Sequence, residues 1–531
     1  MNEFDWILPE YKQERIEPYM SNQIPMFQPP SEWLPPESIP DLSDAKEIAV
    51  DLETRDEKIK EIGPGWATGE GDVIGVAVAV EGWKGYFPLK HPGGGNFDEK
   101  IFYRNFKKLM ALPNRKIFHN AMYDVGWLKQ KDVQVNGNYI DTMIAAQIID
   151  ENRMGYSLNA VAKDYLGEKK NENLLYEAAK EWGVDPKGEM FKLPAQFVGP
   201  YAEQDADLTL RLWHRLESEI YKQDLVSVFS LETNILPALI EMKWRGVRVN
   251  TSRATQIKEN LLEEENALLT KIKSISGVSI DVWAARSVAK AFDAMQIPYN
   301  RTEKAKEPKF DKNFLATHNS ELAKLVVQAR EINKARTTFI DTIMKHQKNG
   351  RIHAEIHQMK SDVGGTVTGR FSMSNPNLQQ IPARNEKIGP MIRSLFIPEQ
   401  DCKWGCFDYN QQEPRLVAHY AAITRNGLEG ADKVIDGYNS DLDFHGTVAE
   451  MANIDRKVAK TINLGLFYGM GKGKLKSQLG LNDEQADELF KTYHSRVPFV
   501  KQLTEQASKS AQENGFVRTL LGRKCRFDLW E

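Results

Sequence analysis

The chain has 531 residues, 41% of them hydrophobic and 27% charged, a size and balance that fit about three or four ordinary soluble globular domains. No apolar run reaches the ~18 residues that a membrane span needs, and the acidic start Met1-Asn2-Glu3-Phe4-Asp5 leads into no signal peptide, so no membrane partner is expected and a cytoplasmic location is. The net charge of −4 neither marks nor excludes a nucleic-acid binder, because carboxylates at metal centres and bases along a DNA track cancel. The three cysteines, Cys402, Cys406 and Cys525, are odd in number and form no Cys-x-x-Cys, which argues against a disulfide framework or a zinc site and for reduced, partly buried thiols.

Residues 1–42 are rich in proline (Pro29-Pro30, Pro35-Pro36) and read as an irregular arm. From Ala45 the pattern changes. Glu47 to Glu53 and Val73 to Val80 read as strands, and helical periodicity follows over 141–150 and 204–221. Strands followed by helices predict an α/β domain over 43–225. Three carboxylate-bearing pairs punctuate it. Asp51 and Glu53 stand two apart on a strand and so share a face. Asn120 and Asp124, and Tyr201 and Asp205, stand four apart, which on a helix also gives a shared face. Each pair alone is ordinary surface chemistry. Together, four carboxylates from three elements could hold two hard divalent ions ~4 Å apart, activating water and stabilising the leaving oxygen of a phosphodiester.

From Leu231 to about Thr342 the pattern is helical, with scattered bases (Lys258, Lys271, Lys273, Arg330, Lys334, Arg336) and a polar basic loop from Asn300 to Lys309. Solvated helix faces and a DNA-gripping helical subdomain are both open on charge alone. Loops and turns increase after Arg351. A strand reading returns over Lys403–Phe407, with Asp408 at its end, where a metal ligand can be held rigidly. Helical pattern then dominates from about Asp443 to the end. Within it Arg456, Lys460, Leu464 and Tyr468 are each four apart and form one drifting stripe. Two cations, an apolar group and a ring on one stripe suit the phosphates, sugar and base of a nucleotide, although a basic amphipathic surface helix has the same pattern.

The order Asp-x-Glu, Asn-x-x-x-Asp, Tyr-x-x-x-Asp resembles the three motifs of the DEDD exonucleases with a tyrosine in the last. Thr368-Gly369-Arg370-Phe371-Ser372, Phe407-Asp408-Tyr409 through Arg415, Arg456 through Gly469, and Glu241 through Val249 fall in the order found in family A DNA polymerases, the family of bacterial DNA polymerase I and many phage replicases. The resemblance runs from about Ala45 to the last residue. It implies a fold with an RNase H-like α/β exonuclease domain (43–225), a helical thumb and the start of the palm (226–350), a partial antiparallel palm with motif A (351–425) and helical fingers with motif B (426–531).

It also implies roles. Asp51, Glu53, Asp124 and Asp205 would bind the exonuclease metals and Tyr201 would orient the attacking water. Asp408 would bind both polymerase metals, and Glu413 would be the steric gate that excludes a ribose 2′-hydroxyl. Arg456 and Lys460 would hold the incoming triphosphate, with Lys460 also a proton donor to pyrophosphate. His445 would assist at the phosphates, Leu464 would meet the sugar, and Tyr468 would sit by the templating base. Arg370 and Gln379 would track the primer–template minor groove, whose acceptors are common to all base pairs. The cofactors implied are Mg²⁺ or Mn²⁺, two ions per site. The partners are primer–template DNA, a single-stranded DNA 3′ end and dNTPs, in the host cytoplasm if the source is a phage.

Two departures stand out. Leu464 replaces the aromatic residue usual in the family. No His-Asp dipeptide occurs anywhere, so motif C, the hairpin with the second metal carboxylate, is missing from these 531 residues. The expectation is little or no polymerase activity for this polypeptide alone, with a second polypeptide carrying motif C as a possible partner. The alternative readings are a 3′–5′ exonuclease with a DNA-holding accessory module and one subunit of a split polymerase. An RNA-trimming exonuclease fits the acidic motifs but not Glu413 and the stripe.

Overall fold

The structure, a computed structural model, describes residues 25, 27–136, 139–383, 385–424, 427–441, 443, 445–446, 449–450 and 454–527. It comprises two compact units, Met1–Trp404 and Gly405–Glu531. Of the N-terminal arm, residues 1–24 and 26 lie outside the described residues.

The first unit begins with a five-stranded sheet in the order β3-β2-β1-β4-β5, formed by β1 (Glu47–Arg55), β2 (Asp72–Val80), β3 (Trp83–Pro88), β4 (Arg115–Phe118) and β5 (Tyr139–Asp141). β1 pairs antiparallel with β2 and parallel with β4, so it lies at the centre. Ile48, Ala49, Val50 and Val73 to Ala79 are buried, as strands covered on both faces must be. The long helix α3 (Ala195–Lys222) packs across β1, β2 and β3; α1 (Ala121–Gln130) and α2 (Thr142–Ile149) follow β4 and β5. This is the RNase H-like α/β arrangement that the sequence implied.

The described part of the arm is irregular, as read, but it is docked. Ile39 and Leu42 are buried in the core. Pro200 lies inside α3 and has no N–H to give the carbonyl of Gln196. Ser31 Oγ donates to that carbonyl instead, at 2.8 Å. Trp33 lies over Gly199, where a Cβ would come 2.3 Å from its ring, and its Nε1 donates to Glu203 Oε1 at 2.9 Å. The arm therefore braces the turn of α3 just before Tyr201.

Beyond α3 the first unit is mainly helical. α4 (Val226–Arg245) and α5 (Thr251–Ser276) are its longest helices; α5 starts at Asn250, whose side chain accepts from Arg253 N at 2.9 Å, and stops at Gly277 in the left-handed region. α6 (Glu321–Lys334) packs on α5, with Ile272, Val288, Phe292, Leu322 and Val326 in one apolar cluster. The polar loop from Asn300 to Lys309 closes as a short antiparallel pair. Several of the singled-out bases serve the fold. Lys258 pairs with Asp341 at 2.7 Å, Lys271 with Glu321 at 2.8 Å and Arg336 with Glu265 at 2.9 Å, while Arg330 donates to the carbonyls of Val282 and Phe310.

The second unit is a helical cluster: α7 (Gln412–Ile423), α8 (Arg456–Phe467), α9 (Asp483–Arg496) and α10 (Pro498–Asn514), with Ala418, Ile462, Leu466, Tyr493 and Phe499 at its centre. One sequence expectation fails here. Lys403–Phe407 is no strand: residues 402–409 form no ladder and are exposed, Phe407 to 97%. A strand needs a neighbour to take its N–H and C=O groups, and none of the described residues supplies one. Cys402 and Cys406 are consequently exposed, while Cys525 is half-buried; all three are free thiols. Helices dominate from Arg456 to Asn514, and a short hairpin follows. Gly515 terminates α10 in the left-handed region, and Phe516–Arg518 pairs antiparallel with Lys524–Arg526 around a tight turn. Among the described residues no helix is long and apolar enough to cross a membrane.

Candidate active sites

β1 presents Asp51 and Glu53 to one face, opposite the small residues Ala77 and Gly75 of β2. Gly75 is required there, since a Cβ would come 2.0 Å from the hydroxyl of Tyr86. At the end of β5, buried Asp141 caps α2 by accepting from Met143 N at 2.8 Å. It also accepts from Asn120 N at 3.0 Å and Ala121 N at 2.8 Å, which fixes the turn from β4 into α1. Asn120 itself sits outside α1 at φ 73°, so it does not share a helical face with Asp124 as its spacing suggested. Asp124 lies in the first turn of α1, buried, and its Oδ1 accepts from Leu52 N at 3.2 Å, the amide between Asp51 and Glu53. Tyr201 and Asp205 are both buried one turn apart on α3.

These elements bring Asp51, Glu53 and Asp205 together, each with a carboxylate oxygen within 4.8 Å of the others. Asp124 is outside that trio but adjoins it through the Leu52 amide. Burial pushes the Asp51 carboxyl from its ordinary 3.8 up to about 7, the charge of Asp205 adding and that of Lys170 opposing. Burial likewise raises Glu53, with Asp51 adding, and Asp124, again with Asp51 adding. Burial raises Asp205 as well, with the charge and hydrogen bond of Lys170 opposing. Asp205 Oδ1 is buried without a hydrogen-bond partner. Several buried carboxylates that repel one another, and an acceptor with nothing to accept from, are what a hard cation resolves; the residues present fit a divalent metal.

One participant had no signal in the sequence. Lys170 bonds Asp205 Oδ2 and donates to Tyr201 Oη at 3.4 Å. In Lys169-Lys170-Asn171-Glu172 it looks like any solvated loop residue.

In the second unit, α8 carries three of the four stripe residues. Arg456 and Lys460 are exposed, Leu464 is half-buried, and Ala459, Ile462, Asn463 and Leu466 face the core. Tyr468 lies one residue past the helix, 69% exposed, its N–H still bonded to Leu464 O at 3.1 Å. Its hydroxyl donates to Glu413 Oε1 on the first turn of α7 at 2.8 Å, so those two residues meet. Arg456 forms a bidentate pair with Asp443 at 2.5 and 2.9 Å. His445 is buried, its Nδ1 3.0 Å from Asn463 Nδ2. Burial, then the charges of Arg456 and Lys460, hold its imidazole below the ordinary value. Asp443 and Asn463 were not singled out from the sequence. Asp408 lies on the exposed 402–409 segment. Arg370 and Gln379 belong to the first unit and are exposed, with Gln379 Nε2 donating to Phe371 O at 3.1 Å.

The chain thus joins a carboxylate cluster on an RNase H-like sheet to helical units, one of which carries a cationic stripe. The family profile of 3′-5′ exonuclease matches residues 34–221, and that of DNA polymerase family A matches residues 251–530. A DNA-directed DNA polymerase of Pseudomonas phage M6 is 35% identical over 557 residues, spanning 94% of this chain and 83% of its own. DNA polymerase DpoZ of Acinetobacter phage SH-Ab 15497 is 31% identical over 462 residues, 77% of this chain and 73% of its own. DNA polymerase I of Pseudomonas aeruginosa is 30% identical over 512 residues, 91% of this chain and 53% of its own. The fold resembles the POL domain of Pol1 from M. smegmatis, solved in complex with DNA primer-template and dNTP, with a TM-score of 0.70 at 21% identity, over 91% of this chain and 78% of that one. The chain belongs to the family A DNA polymerases and carries their 3′-5′ exonuclease domain. Both kinds of domain are metal-dependent, in keeping with the carboxylate cluster.

Proposed function

We propose that this chain serves DNA replication through two separate metal sites, in the cytoplasm of a phage-infected host. The first, on the 43–225 domain, removes the 3′-terminal nucleotide of single-stranded DNA. Asp51, Glu53, Asp124 and Asp205 would hold two Mg²⁺ or Mn²⁺ ions. Such ions, when bound, supply an activated water and neutralise the leaving oxygen. Tyr201, half a turn of backbone from the arm's bracing contacts, orients that water by its hydroxyl. The observation that carries this reading is the convergence of Asp51, Glu53 and Asp205 oxygens within 4.8 Å. Digestion of a 3′-labelled single strand should need Mg²⁺ or Mn²⁺ and vanish in Asp51→Ala. Unchanged digestion by that variant refutes the assignment.

The second site would build DNA. Arg456, Lys460 and His445 take the triphosphate of a dNTP, with Lys460 passing a proton to pyrophosphate. Leu464 meets the sugar, Tyr468 the templating base, and Glu413 excludes a 2′-hydroxyl. Asp408 binds the metals, and Arg370 and Gln379 follow the primer–template minor groove. The thumb and palm start over 226–350, palm over 351–425 and fingers over 426–531 are the corresponding division. In a preparation that extends primers, Arg456→Ala should raise the KM for dNTP, and an unchanged KM refutes this part.

A further inference from the structure

Lys170 lies in the loop between the helices Leu158–Leu166 and Asn173–Trp182. The loop is tied down on each side. Lys170 N donates to Asn159 Oδ1 at 3.2 Å and Asn171 N to Gln204 Oε1 at 2.9 Å. Arg211 grips Glu168 with two bonds of 2.6 and 2.8 Å, and Lys187 pairs with Glu172 at 3.0 Å. So held, the loop turns the Lys170 side chain inward until only 8% of it is exposed. Its ammonium bonds Asp205 Oδ2, donates to Tyr201 Oη at 3.4 Å and lies 5.0 Å from the centre of the Tyr201 ring. The other oxygen of Asp205 is left buried and unbonded.

We propose that Lys170 is a positioning residue of the exonuclease site, an internal counter-cation that holds Asp205 and Tyr201 in place without metal and competes with divalent ions for Asp205. This rests on Asp51, Glu53 and Asp205 being the metal ligands. Buried carboxylates that repel one another need a positive charge nearby to stay ordered. An ammonium provides it at the metal-free stage. The same charge then opposes an incoming dication, so it sets how tightly the site loads. Lysine suits both parts. Its charge is a compact point on a flexible four-carbon stem, able to grip one carboxylate oxygen and to withdraw, whereas a guanidinium would lock both oxygens in its fork.

The test uses the full chain without DNA, with Mn²⁺ alone as probe, read by titration calorimetry, and melting in EDTA as a second readout. Lys170→Met should bind Mn²⁺ at least tenfold more tightly, about 1.4 kcal/mol, and should melt below wild type in EDTA. Lys170→Arg, which keeps the charge, should melt like wild type in EDTA. The double variant Lys170→Met/Asp205→Asn removes both charges and should regain much of the lost melting temperature, which covers the case of a poorly folded Lys170→Met. Equal or weaker Mn²⁺ binding by Lys170→Met overturns the proposal. So does a double variant that melts no higher than Lys170→Met. Asp205→Asn alone should bind Mn²⁺ far more weakly than wild type. If it binds equally well, the metal-site reading beneath the proposal has failed, which is a distinct result.

Discussion

Replacing Asp51 by asparagine keeps the shape of a half-buried side chain and removes its charge. Burial, with the Asp205 charge adding and Lys170 opposing, lifts the Asp51 carboxyl from 3.8 to about 7 in the metal-free fold. A folded-state value above the unfolded one means that the native state binds the extra proton. That proton's stabilisation is complete below the unfolded value and is lost as pH rises through about 7. Relative to asparagine, Asp51 therefore costs about 2 kcal/mol by pH 5 and about 4 kcal/mol by pH 8, because the unfolded chain ionises it more readily than the fold does. In EDTA, Asp51→Asn should melt higher than wild type, and its advantage should widen by several degrees between pH 5 and pH 8. Trp66, Trp127 and Trp213 are buried in the exonuclease core, so intrinsic fluorescence follows this transition. With Mg²⁺ at pH 8 the order should reverse, because the metal stabilises only the intact site. An advantage in EDTA that does not change with pH, or a less stable Asp51→Asn at pH 8, would refute the electrostatic reasoning.

Tyr201→Phe removes one hydroxyl beside Asp205 and should slow 3′→5′ digestion by about 10²-fold while Mn²⁺ binding by calorimetry stays at the wild-type level. Lys243 is buried, bonds Glu355 and lies 4.7 Å from the Trp66 ring centre. Lys243→Met should destabilise the first unit by about 3–5 kcal/mol in chemical denaturation, with part of the loss recovered by adding Glu355→Gln, since the single change strands a carboxylate that is only 12% exposed. In a preparation that extends primers, Leu464→Phe puts a flat ring on the half-buried third position of the α8 stripe and should change the ratio of dNTP to dideoxy-NTP incorporation in steady-state assays; identical ratios would remove Leu464 from the sugar contact.

What the sequence determined alone about this protein is its local chemistry. Alternation along β1 set Asp51 and Glu53 on one face, and 3.6-residue periodicity set Tyr201 with Asp205 and aligned Arg456, Lys460 and Leu464, because each rule depends only on backbone geometry within an element. Their order along the chain sufficed to signal the family. What tertiary structure decided depends on partners distant in sequence. Asn120 left its helical register because Asp141 accepts its N–H from another strand. The proline-rich arm docked because Pro200 frees a carbonyl that Ser31 satisfies. Lys403–Phe407 stayed without a ladder because β pairing belongs to two segments and never to one. Lys170 reached Asp205 only because the fold pins its loop at Asn159, Gln204 and Arg211. A charge in a loop carries no periodicity, and its neighbours are set by packing rather than by spacing.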